Sequence, residues 1–224
     1  MDQEVAKLKE MMTEVEITKA ASMEFCKGKL NGTEAVVVRA GVGKVNAACC
    51  TQALIDHFPV SCVINTGIAG SLQASIDIGD IVLATDALEH DMDAVSFGYG
   101  LGQIPGMEVF SFTADEKLRK IAKEGCEKVN PDISVHEGRV VTGDQFVSSK
   151  EKKTWLVEHF DGCCTEMEGA AIAHVAYLNQ IPFLIVRAIS DKADDSAHMD
   201  YPTFEAKAIE HSVRLITEMA GRLA

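Results

Sequence analysis

At 224 residues with 47% apolar content, the chain can bury one large core and is short for two, so residues 1–224 are expected to form a single domain. A net charge of −13, with no cationic run beyond the Lys150 to Lys153 stretch, argues against polyanionic partners, because nucleic-acid affinity needs clustered cations to neutralise phosphates. No segment approaches the ~18–20 uninterrupted apolar residues of a membrane span, and seven cysteines without CxxC or Cys/His spacing read as reduced, mostly buried thiols.

The N-terminus, Met1 to Glu10, is charged and helical in character, unlike a secretory signal, so a soluble, cytoplasmic protein is expected. Asn31-Gly32 lies between Thr18 to Leu30 and Glu34 to Val38, a strong two-residue hairpin signal, which predicts an antiparallel ribbon joined to the main sheet. Glu34 to Arg39 leads into Gly41-Val42-Gly43, and Ala47, Cys50, Leu54 and Phe58 follow at helical spacing: strand, tight turn, helix. Ser61 to Asn65 is an apolar strand ending in the loop Thr66 to Gly70, and Ile78 to Ala84 is another. Leu118, Ile121, Ala122, Gly125 and Val129 share one helical face, followed by a strand at Val135 to Thr142. Gly169 to Leu178 reads as a small apolar helix, Phe183 to Ala188 as a buried strand, and a last helix runs from about Tyr201. Strands alternating with helices imply an α/β fold with a mixed, mostly parallel central sheet flanked by helices on both faces. Ligands of such sheets bind beyond the carboxyl ends of the strands.

Gly41-Val42-Gly43 has Asn46 where the third glycine of a dinucleotide fingerprint would stand, and Gly43-Lys44 is followed by Val45 rather than Ser or Thr, so neither a nicotinamide site nor a P-loop is supported. Thr165-Glu166-Met167-Glu168-Gly169 holds two carboxylates where a strand gives way to a helix N-terminus, which favours negative charge. An ionised carboxylate there can accept hydrogen bonds from vicinal hydroxyls, although Glu166 could equally cap the helix. Ser190-Asp191 ends an apolar run with Asp194 and Asp195 close behind, and burial with like charges raises a carboxyl pKa as a general acid requires. An N-cap in a solvated acidic turn is the plainer alternative. His90-Asp91-Met92-Asp93 lacks a fourth ligand for a metal, and the Gly-rich stretch around Phe97 and Tyr99 suits a subunit contact, a pocket lid or core packing.

The blocks Asn31 to Glu34, Gly41 to Ala47, Asn65 to Gly70, Ile78 to Val82, His90 to Asp93, Phe97 to Tyr99, Gly143 to Phe146, Glu166 to Glu168 and Arg187 to Asp191 occur in order and together resemble the bacterial methylthioadenosine/S-adenosylhomocysteine nucleosidases over nearly the whole chain. The resemblance implies the nucleoside-phosphorylase-like fold, a homodimer, adenine thio-nucleosides as substrates, and neither cofactor nor metal. It implies Asp191, next to Ser190, as the acid at adenine N7, Glu168 as the grip on the ribose hydroxyls beside Met167, Glu166 and Arg187, and Glu4 as the residue that activates water. Phe146 would stack on adenine with the backbone of Val147 at its edge, Tyr201 standing where the family usually has Phe. Ile68, Ala69 and Gly70 would flank the sugar. Met1, Val42 and, from a second subunit, Ala94, Phe97 and Pro105 would line the 5′-alkylthio slot. Two departures accompany it. Ile68 stands where many relatives have Ser, which disfavours phosphate as the nucleophile, and the family's short apolar first strand is missing ahead of Met1, so upstream residues are expected to supply it. The alternatives are a purine nucleoside phosphorylase, another purine nucleosidase such as a futalosine hydrolase, or a non-catalytic nucleoside-binding or storage protein on the same fold.

Overall fold

A computed structural model describes residues 2–223, without the side chains of Asp2 and of residues 198–202. The N-terminal helix α1 (Asp2–Met11) leads into three antiparallel strands, β1 (Thr13–Ala20), β2 (Met23–Leu30) and β3 (Thr33–Val38). Asn31 (φ 48°) and Gly32 (φ 89°) are both left-handed, as a two-residue hairpin requires, and Leu30 pairs with Thr33 across the turn. The ribbon is therefore where the Asn-Gly signal puts it, but among the described residues it forms a sheet of its own with no ladder to the main one, rather than joining it.

The main sheet has six strands: β4 (Val63–Ser71), β5 (Ile81–Glu89), β6 (Phe112–Thr113), β7 (Val135–Thr142), β8 (Cys164–Glu166) and β9 (Phe183–Asp191), ordered β6-β5-β7-β8-β4-β9. β9 also returns to β5, so five strands close on one another. The ladders β5·β7, β7·β8 and β4·β9 are parallel, and every residue of β9 is buried, which explains why it is apolar from Phe183 to Val186 and again at Ala188 and Ile189. Helices flank the sheet: α2 (Lys44–His57) packs against α5 (Gly169–Leu178), and α3 (Glu116–Val129) against α6 (Ala197–Arg222). A further helix, α4 (Lys150–Phe160), gave no apolar stripe to read in advance, since only Leu156 and Phe160 of it are buried. Two expectations are corrected. The Thr66 to Gly70 segment is not a loop but the second half of β4, kept in register by β9 until a bulge between Ala69 and Gly70, and β5 begins three residues later than Ile78 because Asp80 turns the chain, accepting from Asp77 and Ser134 N–H. Among the described residues no helix is long and apolar enough to cross a membrane, and all seven cysteines are free, with only Cys49 exposed.

Two strand edges face one cavity. With Leu30 and Thr33 as the hydrogen-bonded pair that closes the hairpin, alternate residues Ala35 and Val37 bond to β2, and the backbone groups of Glu34, Val36 and Val38 point the other way. On β4, the Val63 N–H donates to Pro182 at 2.9 Å toward β9, so Ile64, Thr66 and Ile68 turn their backbone groups outward. All six residues line a cavity of about 1190 Å³, walled by Leu54 of α2 and Phe58 at its C-cap on one side and Leu8, Ile216 and Ala220 of α1 and α6 on the other. That volume exceeds the ~300–1,000 Å³ typical of a ligand site. Part of it is a channel between the two sheets.

Candidate active site

The upper part of this cavity lies at the carboxyl ends of β4, β8 and β9, and Glu4, Glu168 and Asp191 all line it. Acidic side chains from the first helix, the start of α5 and the end of β9 are thus brought to the lining of one cavity by the topology.

Glu168 is the N-cap of α5 and sits at the mouth of that helix. One of its oxygens, Oε1, accepts the Gly43 N–H at 2.8 Å, so the ends of α2 and α5 converge on it. Burial and the charge of Glu166 push its carboxyl pKa up, against the pull of Arg187 and the Gly43 N–H. Glu166 does the opposite. Its carboxylate turns inward, accepting the Gly169 N–H at 2.7 Å, the Glu168 N–H at 3.0 Å, the Thr142 hydroxyl, and Arg187 Nη2 at 2.5 Å. Burial alone would raise its pKa, but Arg187, Thr142 and the helix N–H groups together hold it below the ordinary value. Glu166 thus caps the helix with its side chain, one of the two roles its position allowed, while Glu168 holds the N-cap position and projects from the backbone that Glu166 fixes. Arg187 is only 1% exposed and also bonds to Asn65, so its charge is committed within the protein rather than offered to an anion.

Asp191 is buried at the last residue of β9. Its Oδ1 accepts the Ala193 N–H at 2.8 Å and its Oδ2 the Ser190 hydroxyl at 2.9 Å. The neighbouring acids do not crowd it as anticipated: Asp194 is occupied by the Ser196 N–H and hydroxyl, and although its burial works upward these bonds, with Lys153 and Lys192, lower its pKa. What makes room for Asp191 is Gly70, its partner across the β4·β9 bulge. A Cβ at Gly70 would lie 2.7 Å from Asp191 Oδ1 and 2.8 Å from Ala193 Cβ. The glycine is required by close approach rather than by its φ.

Glu4 is 1% exposed. Its Oε1 accepts from Thr66 Oγ1 at 2.7 Å and from Ser212 Oγ at 3.0 Å, the two hydroxyls themselves 2.5 Å apart. Neither hydroxyl was legible as a site residue, because Ser212 lies in the middle of α6 and Thr66 inside what read as a loop; only the Thr-Gly pair at a strand end could have drawn attention to Thr66.

Met167, Phe146 and Val147 line the same cavity, Phe146 half exposed and Val147 buried. Val42, Ile68, Ala69, Gly70 and Ser190 complete its rim and floor. Met1 and the side chain of Tyr201 fall outside the described residues. Ala94, Phe97 and Pro105 do not line the cavity of their own chain; Phe97 projects outward at 85% exposure, at the end of a short helical turn, Val95–Phe97. His90 is buried and turned inward, which pushes its pKa down to about 4, while Asp91 is taken up by Lys44 and the Asp144 N–H, so the His90 to Asp93 block does not converge on a shared point.

Known proteins resemble this chain over nearly all of its length. The phosphorylase superfamily matches residues 1–220. A curated relative from an Exiguobacterium species, named 5′-methylthioadenosine/S-adenosylhomocysteine nucleosidase, is 39% identical over all of this chain and 95% of its own length. A solved nucleosidase of that name from Neisseria meningitidis, in complex with methylthio-immucillin-A, superposes with a TM-score of 0.95 at 36% identity, covering 99% of this chain and 96% of the other. A futalosine hydrolase from Helicobacter pylori superposes at 0.93 with 33% identity, covering 99% of this chain and 94% of that one.

Proposed function

The chain belongs to the phosphorylase superfamily and, within it, to the 5′-methylthioadenosine/S-adenosylhomocysteine nucleosidases, and from that premise we propose how its three cavity carboxylates divide the hydrolysis of an adenine thio-nucleoside. The substrate class is that of methylthioadenosine and S-adenosylhomocysteine, cut at the N-glycosidic bond to free adenine and the thio-sugar.

As the bond to adenine lengthens, electrons flow to the base and the sugar becomes oxocarbenium-like. Asp191 hands a proton to N7, so adenine leaves neutral. Glu168 accepts the ribose hydroxyls, whose bonds to an ionised carboxylate strengthen as the ring gains positive charge. Glu4, held by Thr66 and Ser212, takes the proton of the water that attacks the anomeric carbon. Phe146 covers one face of the purine and the Val147 backbone reads its edge, while Val42 and Ile68 give an apolar wall to the alkylthio group. The observation that carries this reading is that Glu4, Glu168 and Asp191 line one cavity although they lie far apart in sequence. Water rather than phosphate is the nucleophile, since Arg187 is spent on Glu166 and Ile68 offers no donor. Residues 1–224 act as one domain, and exposed Phe97 and Pro105, with Ala94, reach the alkylthio slot of a second copy in a cytoplasmic homodimer.

The test is incubation with each thio-nucleoside and with a futalosine-type substrate, followed by chromatography for free base. Release of adenine from the thio-nucleosides, unchanged by added phosphate, is expected; a strict phosphate requirement would turn the assignment to a phosphorylase, and exclusive use of the futalosine-type substrate to that hydrolase.

The raised pKa of Glu168 gives a pH signature. Hydroxyl binding needs the ionised form, so as pH falls through that raised pKa the carboxylate is protonated and kcat/KM drops. The acid limb is expected above the ordinary glutamate range, and Glu168→Gln should lower kcat/KM about tenfold or more, the equivalent of one charge-assisted hydrogen bond at ~1.5–3 kcal/mol, and flatten that limb. A limb that persists unshifted in Glu168→Gln assigns the titration to another group.

A further inference from the structure

Glu168 points into the cavity partly because the Gly43 N–H holds it, and Gly43 itself is held from behind. Gly43 (φ 88°) is the N-cap of α2 and has no side chain with which to fix the turn. A Cβ there would lie 2.9 Å from Asp144 Oδ1, so the turn is pressed against that carboxylate. The next residue does the anchoring. Lys44 N–H donates to Asp144 Oδ1 at 2.8 Å, and its ammonium bridges Glu89 Oε2 at 2.9 Å and Asp91 Oδ1 at 2.7 Å. Asp91 Oδ2 in turn accepts the Asp144 N–H at 2.9 Å, which closes the loop of contacts, and His174 Nδ1 lies 3.6 Å from the other oxygen of Glu89. Glu89 is buried at the end of β5, and the Lys44 side chain is only 19% exposed. Burial works against the Lys44 charge, but the two carboxylates more than offset it and hold its pKa above the usual lysine value. None of Lys44, Glu89, Asp91 and Asp144 lines the nucleoside cavity.

We propose that Lys44 is a positioning residue for ribose recognition: its two-carboxylate clamp ties the N-terminus of α2 to the end of β5 and so sets the Gly43 N–H that aims Glu168. This rests on the reading of Glu168 as the ribose-binding group. Released from the clamp, the Gly41 to Gly43 turn would move with the frayed end of α2 and Glu168 would lose the donor that fixes its rotamer. The consequence is specific to substrates that carry the hydroxyls. The half-buried clamp matters here because Gly43, at the N-cap of α2, has no side chain of its own to cap the helix.

The experiment measures kcat/KM for methylthioadenosine and for its 2′,3′-dideoxy analogue in the wild type, Lys44→Met, Lys44→Arg, Glu168→Gln and the charge-balanced double variant Lys44→Met/Glu89→Gln, with Tm for each. Lys44→Met and the double variant are expected to lose about tenfold on the hydroxylated substrate and little on the dideoxy one, with Lys44→Arg restoring most of the discrimination because a guanidinium can also bridge two carboxylates. Equal losses on both substrates, or no loss in the double variant at wild-type Tm, would overturn the role of Lys44. Glu168→Gln separates the two failures: if it too leaves the ratio between substrates unchanged, the ribose assignment of Glu168 is the part that falls.

Discussion

Replacing Asp191 with Asn is expected to cut adenine release by about 10²–10⁴-fold, the range contributed by one general acid, while leaving affinity for the substrate nearly intact. The two side chains have the same shape, so the amide can keep the contacts that hold the carboxylate now, the Ala193 N–H at 2.8 Å and the Ser190 hydroxyl at 2.9 Å. What it cannot do is give up a proton to the purine. The loss should therefore fall on kcat with little change in substrate Kd, measured by equilibrium binding and by single-turnover adenine formation. A substrate whose leaving group needs no protonation should recover most of the lost rate. Undiminished turnover of methylthioadenosine by Asp191→Asn would remove the acid from the mechanism, and a large loss of binding alone would recast Asp191 as a recognition residue.

Much of the cavity lining is legible in the sequence, and the reasons are local. Asp191 and Glu168 stand at strand ends next to runs whose apolar character leaves no doubt that they are buried, so a polar residue there is conspicuous. The Asn31-Gly32 turn and the Gly169–Leu178 helix follow from chemistry that acts within a few residues. The parts that escaped notice depend on distant partners. Thr66 and Ser212 are 146 positions apart and meet only because β4 lies against α6; Gly43 and Glu168 are 125 apart and meet because two helix ends converge. Gly70 looks like an ordinary turn glycine until the β4·β9 register sets it against Asp191. The ribbon's separation from the main sheet is invisible in the sequence for another reason: pairing between sheets depends on which edges find partners, and nothing in β3 announces that its outer edge has none among the described residues.

That open edge leads to the largest stability effect expected. β3 offers the backbone groups of Glu34, Val36 and Val38, β4 those of Ile64, Thr66 and Ile68, and the channel between them is walled by apolar side chains on both faces. A strand placed between the two edges could pair with both, at the ~4.8 Å spacing of a sheet, and apolar walls above and below call for a continuous Val/Ile run. A segment fused ahead of α1 would enter the channel directly, because Glu4, Val5 and Leu8 of that helix line it. Fusing about six Val/Ile residues and a short glycine turn ahead of Met1 should form hydrogen bonds on both edges at ~0.5–1.5 kcal/mol each and bury three or four large side chains at ~1.5–3 kcal/mol each, against backbone ordering of ~1–2 kcal/mol per residue. A net gain of a few kcal/mol would raise Tm by roughly 10 °C in a domain of this size. The amides of Val36, Val38, Ile64 and Thr66 should become protected from hydrogen exchange in the fused protein, whereas an extension of equal length with Asp at alternate positions should change neither. The same strand would pack beneath Thr66 and the first turn of α1, so it should also narrow the range of positions open to Glu4. Unchanged Tm and unchanged exchange with the apolar extension would show that the channel does not accept a strand.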